Sequence, residues 1–262
     1  MLQELRIEVK AAGKEDELHG NVRSALARGL PEFAECNTPA PGHDGTLVLA
    51  GSGPSIVDQI DEIRAHRKAV DTIWAIKGAH DLLCDNGITP EGYVNLDPRD
   101  RLNTVKRVNG STEYLIASRC PPALFDYLEP YRVTLWHSYS PDVEDWPEFK
   151  GRNLVQGGTT SGMRAINLGH LRGFRRFVLY GFDSCLAADR LTKRFTGEMS
   201  DKIMDVIVAG RQFWCNAAMA QQAIDFKTYL QIFAGDAEFD VRGGGLLAAI
   251  LDEFNRLRAE AA

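Results

Sequence analysis

Two turns rich in glycine and hydroxyl residues, together with aspartates that close apolar runs, are where the residue types and spacing of this chain could do chemistry. The first turn, Gly51-Ser52-Gly53-Pro54-Ser55, follows the strand-like run 46–50 and opens a stretch with Ile56, Ile60 and Ile63 at helical spacing. In an open α/β sheet such a junction lies at the carboxyl end of a strand, where the backbone N–H groups of a helix start can bind an anion. Gly51 and Gly53 carry no Cβ, so a phosphate could approach the main chain closely. The turn has neither the third glycine of a dinucleotide fingerprint nor the Gly-Lys-Ser/Thr ending of a Walker A loop. A strand-to-helix turn capped by Ser52 or Ser55 would read the same way.

The second turn runs through Gly157, Gly158, Thr159, Thr160 and Ser161 to Gly162. It places several hydroxyls and N–H groups at one helix start, able to hold a phosphate or a ribose hydroxyl, or to cap the helix itself. Asp97, Asp100 and Asp183 follow predicted strands. Carboxylates at such places suit Mg²⁺, which takes one or two protein oxygens while substrate phosphates supply others, so Asp97 and Asp183 are the candidate metal ligands and catalytic acids. Turn capping is the commoner duty of loop aspartates. His80 and His137 also lie just after predicted strands, and His137, between Trp136 and Ser138, is the better candidate for a general base. Lys77, closing another strand, could neutralise phosphate charge. The chain has no G-x-S-x-G elbow, no H-E-x-x-H and no paired cysteines, which argues against a serine hydrolase or a zinc enzyme.

These residues need a frame that sets strand ends side by side. Strands are expected at 46–50, 72–76, 93–96, 114–117, 132–136 and 177–180, with helices near 56–67, 79–86, 122–128 and 163–171 between them. Alternation at this spacing predicts a mainly parallel sheet with helices on both faces. Before it, 21–33 reads as a helix and 37–42 as a connector. Beyond it, 187–199 is polar and irregular, with Arg190, Lys193 and Arg194, and reads as a solvated loop or a flap. A long helix over 212–233, a short strand over 238–241 and a closing helix over 246–259 complete the reading. The domain division expected is an N-terminal extension over 1–45 and one domain over 46–262.

The 262 residues, 44% hydrophobic and 25% charged, describe a chain able to bury a full core. A net charge of −6 argues against nucleic acid as a main partner. Five dispersed cysteines read as reduced thiols, the charged N-terminus does not read as a secretory signal, and no apolar run approaches a membrane span, so the expected compartment is the cytoplasm.

In order along the chain, Gly51-Ser-Gly-Pro-Ser55, Lys77-Gly-Ala79, Asn86-Gly-Ile-Thr-Pro90, Asp97, Gly157-Gly-Thr-Thr-Ser-Gly162 and Gly181-Phe-Asp183 resemble the archaeal-type 6-hydroxymethylpterin pyrophosphokinase (MptE-like) family. That family also includes the central domain of bacterial motility accessory factors. The resemblance covers about residues 45 to 185. It implies a Rossmann-like, three-layer α/β/α domain with a nucleotide phosphate at the first glycine loop, and transfer of diphosphate from ATP, with Mg²⁺, to a hydroxymethyl group. Bacterial sialyltransferases, similar in architecture, start with a like loop and use a CMP-activated sugar. The chain departs from the family at Lys77, where Asn is common, and has no clear histidine after Gly181-Phe-Asp183.

The expected function is therefore a nucleotide-dependent transferase of diphosphokinase type. The alternatives are a glycosyltransferase using a nucleotide-activated sugar, with His137 as acid or base, and a noncatalytic nucleotide-binding module. The expected partners are a nucleotide (ATP or CMP-type) and a small-molecule or glycan acceptor; a homo-oligomer is compatible with the sequence.

Overall fold

The computed structural model describes residues 13–187 and 202–261, apart from Val70, Arg101, Asp142 and Glu144. The irregular stretch over 187–199 falls, beyond Ala187, outside the described residues. In chain order the helices and strands are α1 (Glu15–Leu26), β1 (His43–Ala50), α2 (Ile60–Lys68), β2 (Thr72–Ile76), α3 (Ala79–Asp85), β3 (Gly92–Asn95), β4 (Glu113–Ala117), α4 (Pro122–Leu128) and β5 (Val133–Trp136). They continue with α5 (Ser161–Leu171), β6 (Phe174–Tyr180), β7 (Met204–Val208), β8 (Arg211–Cys215), α6 (Ala217–Ile232), β9 (Glu238–Val241) and α7 (Leu246–Ala261).

Seven strands form one parallel sheet in the order β5-β4-β3-β2-β1-β6-β9. Successive residues of β1 serve opposite faces: Leu47 and Leu49 join the core under α5, α6 and α7, while Val48 and Ala50 join the core under α2 and α3. Both faces are covered, so the inner strands are apolar runs rather than alternating ones, and this is why they were visible in the sequence. The order turns back between β1 and β6, the chain leaving β1 toward β2 on one side and returning from β5 to β6 on the other. This is the three-layer α/β/α class expected.

Residues 13–45 pack onto the same body. Leu18 and Val22 of α1 meet Val143, Trp146 and Phe149, while Phe33 N–H donates to Leu135 O and Leu135 N–H to Pro31 O, bonds that lay 31–33 along the outer edge of β5. α1 begins and ends earlier than the helix expected over 21–33. Acidic Glu15, Asp16 and Glu17 favour its first turn, and Gly29 (φ +61) with Pro31 prevents its continuation.

The helix expected over 212–233 needs correction at its start. Residues 211–215 pair with 204–208 as an antiparallel hairpin, and the helix begins only after Asn216, whose side chain caps the Met219 N–H. The hairpin turn is Ala209-Gly210, both at positive φ (49° and 74°), as a primed two-residue turn requires.

Candidate functional site

The site is best built from the carboxyl ends of the parallel strands, where the predicted residues were expected to meet. At the end of β1, Gly53 has φ −66°, a value open to any residue, so its need for glycine is steric: a Cβ there would lie 2.1 Å from Asp183 Oδ2 and 2.6 Å from Gly181 O. A Cβ on Gly51 would likewise lie 2.6 Å from Gly181 O. The amides are engaged as well. Gly51 N–H donates to Tyr180 O (2.7 Å), Gly53 N–H to Gly181 O (2.8 Å), and both the N–H and the Oγ–H of Ser55 to Asp183 Oδ2 (3.0 Å each). Pro54 has no N–H to give, and Ser52 Oγ makes a long bond to Ile76 O (3.5 Å).

A carboxylate of this chain thus occupies the place expected for a phosphate. From above, Gly245 presses on Asp183 so closely that a Cβ would lie 2.5 Å from its Cα, and Leu246 N–H donates to Asp183 O (2.7 Å). The turn Gly51, Ser52, Gly53, Pro54 and Ser55, expected to cradle a phosphate, packs here against the end of β6, with the amides of Gly51, Gly53 and Ser55 engaged within the chain. Asp183, expected as a metal ligand and catalytic acid, accepts both bonds from Ser55. It is buried, burial raises its carboxyl above the ordinary value against the opposing Ser55 hydrogen bonds, and its Oδ2 is the acceptor that caps the turn.

The second turn is engaged in the same manner. Asp225 of α6 accepts from Thr159 N–H (2.8 Å) and Oγ1–H (2.9 Å), Thr160 caps the Met163 N–H (3.3 Å), and Ser161 Oγ accepts from Leu96 N–H (3.2 Å). Gly157 (φ +94°) and Gly158 (φ +67°) are required by left-handed backbone, and a Cβ on Gly157 would strike the Tyr229 hydroxyl. Thr159, Thr160 and Ser161 are thus tied by side-chain bonds to α6, α5 and the end of β3, beside Gly157 and Gly158.

Lys77 and Asp97 do come together. Lys77, at the end of β2, has φ +51°, a left-handed conformation uncommon for a side chain without a short polar group. Its Nζ donates to Asp97 Oδ2 (2.6 Å), and Arg99 grips the same carboxylate through Nε to Oδ1 and Nη2 to Oδ2 (2.9 Å each). Burial alone would raise the Asp97 carboxyl, but Arg99 and Lys77 together hold it well below the ordinary range. Its charge is thus fixed, and both oxygens are taken. Asp97 and Asp183 stand three strand spacings apart in the sheet, roughly 14 Å at ~4.8 Å per strand, so they cannot share one cation. Among the described residues no group of three or more His, Cys, Asp or Glu could hold a metal ion.

His137 closes β5, five strand spacings from β6, or roughly 24 Å, so it does not share a centre with Asp183. Its own setting is ordered. Nδ1 lies 3.0 Å from Ser118 Oγ, and Nε2 lies 3.3 Å from Glu32 Oε2, within ion-pair range but off the hydrogen-bond direction. His80, in contrast, is a packed residue of α3, edge-on to Tyr93.

Residues that sequence reasoning passed over surround Lys77 and Asp97. Arg99 follows Asp97 by two positions. Arg119, whose Nη1 donates to Ser138 Oγ (3.4 Å), and the buried Arg164 of α5 lie within electrostatic reach of one another, and Cys120 senses Asp97, Lys77 and Arg119 together. Arg164 donates to the carbonyls of Val155 and Tyr139, and burial pushes its guanidinium down to about 10. In a chain of net charge −6, Lys77, Arg99 and Arg119 follow the ends of β2, β3 and β4, and Arg164 of α5 lies within electrostatic reach of Arg119. The signal was available: Ser118-Arg119 and His137-Ser138 each close a strand, and neighbouring parallel strands align their ends.

A fully parallel, doubly covered sheet with its chemistry-bearing side chains at the carboxyl rim defines a Rossmann-like α/β domain. Residues 21–189 match the family described as 6-hydroxymethylpterin diphosphokinase MptE-like, and the chain belongs to that family. The match begins at residue 21, so it takes in part of α1 and the segment beside β5. The chain is 36% identical over 70 residues to an uncharacterized protein of Treponema pallidum (strain Nichols), a stretch covering 26% of this chain and 33% of that protein. In fold it is similar to the solved structure of the MAf glycosyltransferase from Magnetospirillum magneticum AMB-1. The TM-score is 0.64 at 17% identity, over 96% of this chain and 43% of that one. The chain thus spans about a third of that curated relative and less than half of the solved chain. Among the described residues no helix is long and apolar enough to cross a membrane.

Proposed function

We propose that this chain is a nucleotide-dependent transferase of diphosphokinase type, moving a diphosphate from ATP to a hydroxymethyl-type acceptor. Its polyphosphate would be held by Lys77 and Arg99 and not by the glycine turns. The observation that carries the reading is the Lys77–Asp97–Arg99 cluster: two cations face one buried carboxylate at adjacent strand ends, with Lys77 held in a strained backbone conformation. A phosphate arriving there meets donors already oriented, and positioning with charge neutralisation supplies most of the rate in phosphoryl-type transfer. Membership of the MptE-like family supports the reaction class.

The residues present do not fit a protein-held Mg²⁺ centre, because Asp97 is saturated and Asp183 is sequestered. Mg²⁺, in this reading, is the counter-ion of the nucleotide, and no step here is derived through it.

The glycosyltransferase reading is supported by one observation, the likeness in fold to the MAf glycosyltransferase. The same cations could hold the phosphate of a CMP-activated sugar.

Isothermal titration with ATP and with CMP, with and without Mg²⁺, separates these readings. Lys77→Met should weaken ATP binding by about tenfold to a hundredfold, the worth of one charged hydrogen bond of roughly 1.5–3 kcal/mol. No heat from either nucleotide, or an unchanged affinity in the variant, would remove the proposal. Metal-independent preference for CMP favours the glycosyl reading. ATP binding without AMP release when a 6-hydroxymethylpterin is supplied points to a binding module.

A further inference from the structure

The N-terminal segment brings a carboxylate to the strand ends. Glu32, on the stretch laid along β5, has Oε2 3.3 Å from His137 Nε2, and its Oε1 pairs with Arg152. On the other side of the ring, Nδ1 stands 3.0 Å from Ser118 Oγ at the end of β4. Phe149 covers the imidazole with ring centroids 5.4 Å apart, and both His137 and Ser118 are almost wholly buried. Glu32 remains 37% exposed, so the row runs from solvent inward. Its inner end, Ser118, lines a small cleft with Arg119 and Ser138, walled on the other side by apolar residues of α1 and by Trp146 and Phe149.

We infer that Glu32, His137 and Ser118 form a proton relay that activates the acceptor hydroxyl of the transfer reaction, with Glu32 as a positioning residue supplied by the N-terminal segment. The inference rests on the transferase reading above and adds the acceptor side of the site. As the acceptor oxygen forms its bond to phosphorus, its O–H bond breaks and the proton passes to Ser118 Oγ. The Ser118 proton passes to His137 Nδ1, and the P–O bond to the nucleotide breaks with its electron pair leaving on the nucleotide oxygen. The Glu32 carboxylate, 3.3 Å from Nε2, stabilises the imidazolium by its charge, and the ring proton afterwards leaves toward solvent.

The resting state suits this role. Burial lowers the His137 value despite the opposing Glu32 charge, and Arg152 lowers it further, so the ring is neutral near pH 7 and able to accept. Cys36, lining the cleft on the Glu32 side, is pushed up to about 12 by burial and by Glu35 and Glu32, and remains a neutral thiol.

Two variants of partly exposed residues test the relay with opposite signs. Glu32→Gln should lower kcat for AMP release from ATP and a 6-hydroxymethylpterin by about tenfold or more, with KM for ATP unchanged. It should also move the acid limb of the kcat profile to lower pH. Arg152→Gln should move that limb to higher pH. A merely structural contact would shift neither limb.

Nitrogen NMR of His137 decides the relay without any substrate. The wild-type ring should carry its proton on Nε2, and its titration should fall in E32Q and rise in R152Q. A proton on Nδ1, or a titration indifferent to both variants, would overturn the relay. A chain that binds ATP and keeps the expected tautomer and shifts, yet releases no AMP, would instead overturn the transferase reading.

Discussion

Replacing Gly53 by alanine separates a glycine demanded by a ligand from a glycine demanded by the fold. The backbone at Gly53 (φ −66°, ψ 161°) accepts alanine without strain, so the added methyl acts through contact alone. It would stand 2.1 Å from Asp183 Oδ2 and 2.6 Å from Gly181 O, and the second of these is backbone that cannot rotate away. The turn must therefore lift from the β6 end. Overpacking of this kind costs about 1–3 kcal/mol, and weakening the bonds from Ser55 to a buried carboxylate adds about 1–2 kcal/mol. A loss near 3 kcal/mol corresponds to a fall in Tm of about 6–12 °C for a domain of this size. Urea and thermal unfolding measure it, and ATP affinity at a temperature where the variant is folded should change much less than in Lys77→Met. A variant of wild-type stability that has lost ATP binding would refute the packing argument and restore the turn as a phosphate cradle.

The two strand-end aspartates should leave opposite marks on stability against pH. Asp97, depressed by Arg99 and Lys77, contributes stability that is present above its unfolded value of about 3.9 and lost below it, so Asp97→Asn should flatten the acid side of the unfolding profile. Asp183, raised by burial, makes stability fall as pH rises from about 3.9 through its folded value, and Asp183→Asn should remove that decline; equal slopes in wild type and variant would contradict either assignment. Asp225→Asn removes the charge that Thr159 N–H and Oγ1–H share, and should cost about 1–2 kcal/mol in chemical unfolding with nucleotide affinity unaltered.

The parallel strands were legible because burial on both faces writes them as short apolar runs ending in glycine, aspartate or lysine, as at Trp74 to Lys77 and Tyr93 to Asp97. The hairpin was not, because its turn places Ala209, not Asn or Gly, in the left-handed region, and the run from Gln212 to Cys215 merges with the helix that follows. Lys77 and Asp97 could be found one by one from their places after strands. Their pairing could not, since it depends on β2 and β3 being neighbours in the sheet. Glu32 was hidden for the same reason: it joins His137 only because 31–33 lies along β5, more than a hundred residues away in sequence. The glycines are ambiguous because the letters do not say whether the atom that excludes a side chain belongs to a ligand or to the protein. At Gly53 it belongs to Asp183 and Gly181.

In the proposed reading that distinction moves the phosphate site along the rim. In an open α/β sheet a ligand is expected where the strand order turns back, here between β1 and β6. In this chain the crevice is closed from three directions: Gly181 and Asp183 bond the β1 turn, Gly245 presses on Asp183, and Gly162 meets the Phe182 ring so closely that a Cβ would lie 2.7 Å from it. Each glycine turn moreover gives hydrogen bonds to an aspartate of this chain, Ser55 to Asp183 and Thr159 to Asp225. The proposed site uses the opposite side, where Lys77, Arg99 and Arg119 follow β2, β3 and β4 and where the Glu32–His137–Ser118 row reaches in from the sheet edge. The roughly 10 Å that two strand spacings place between Asp97 and His137 suits a phosphate chain with an acceptor hydroxyl at its far end, which neither group could serve alone.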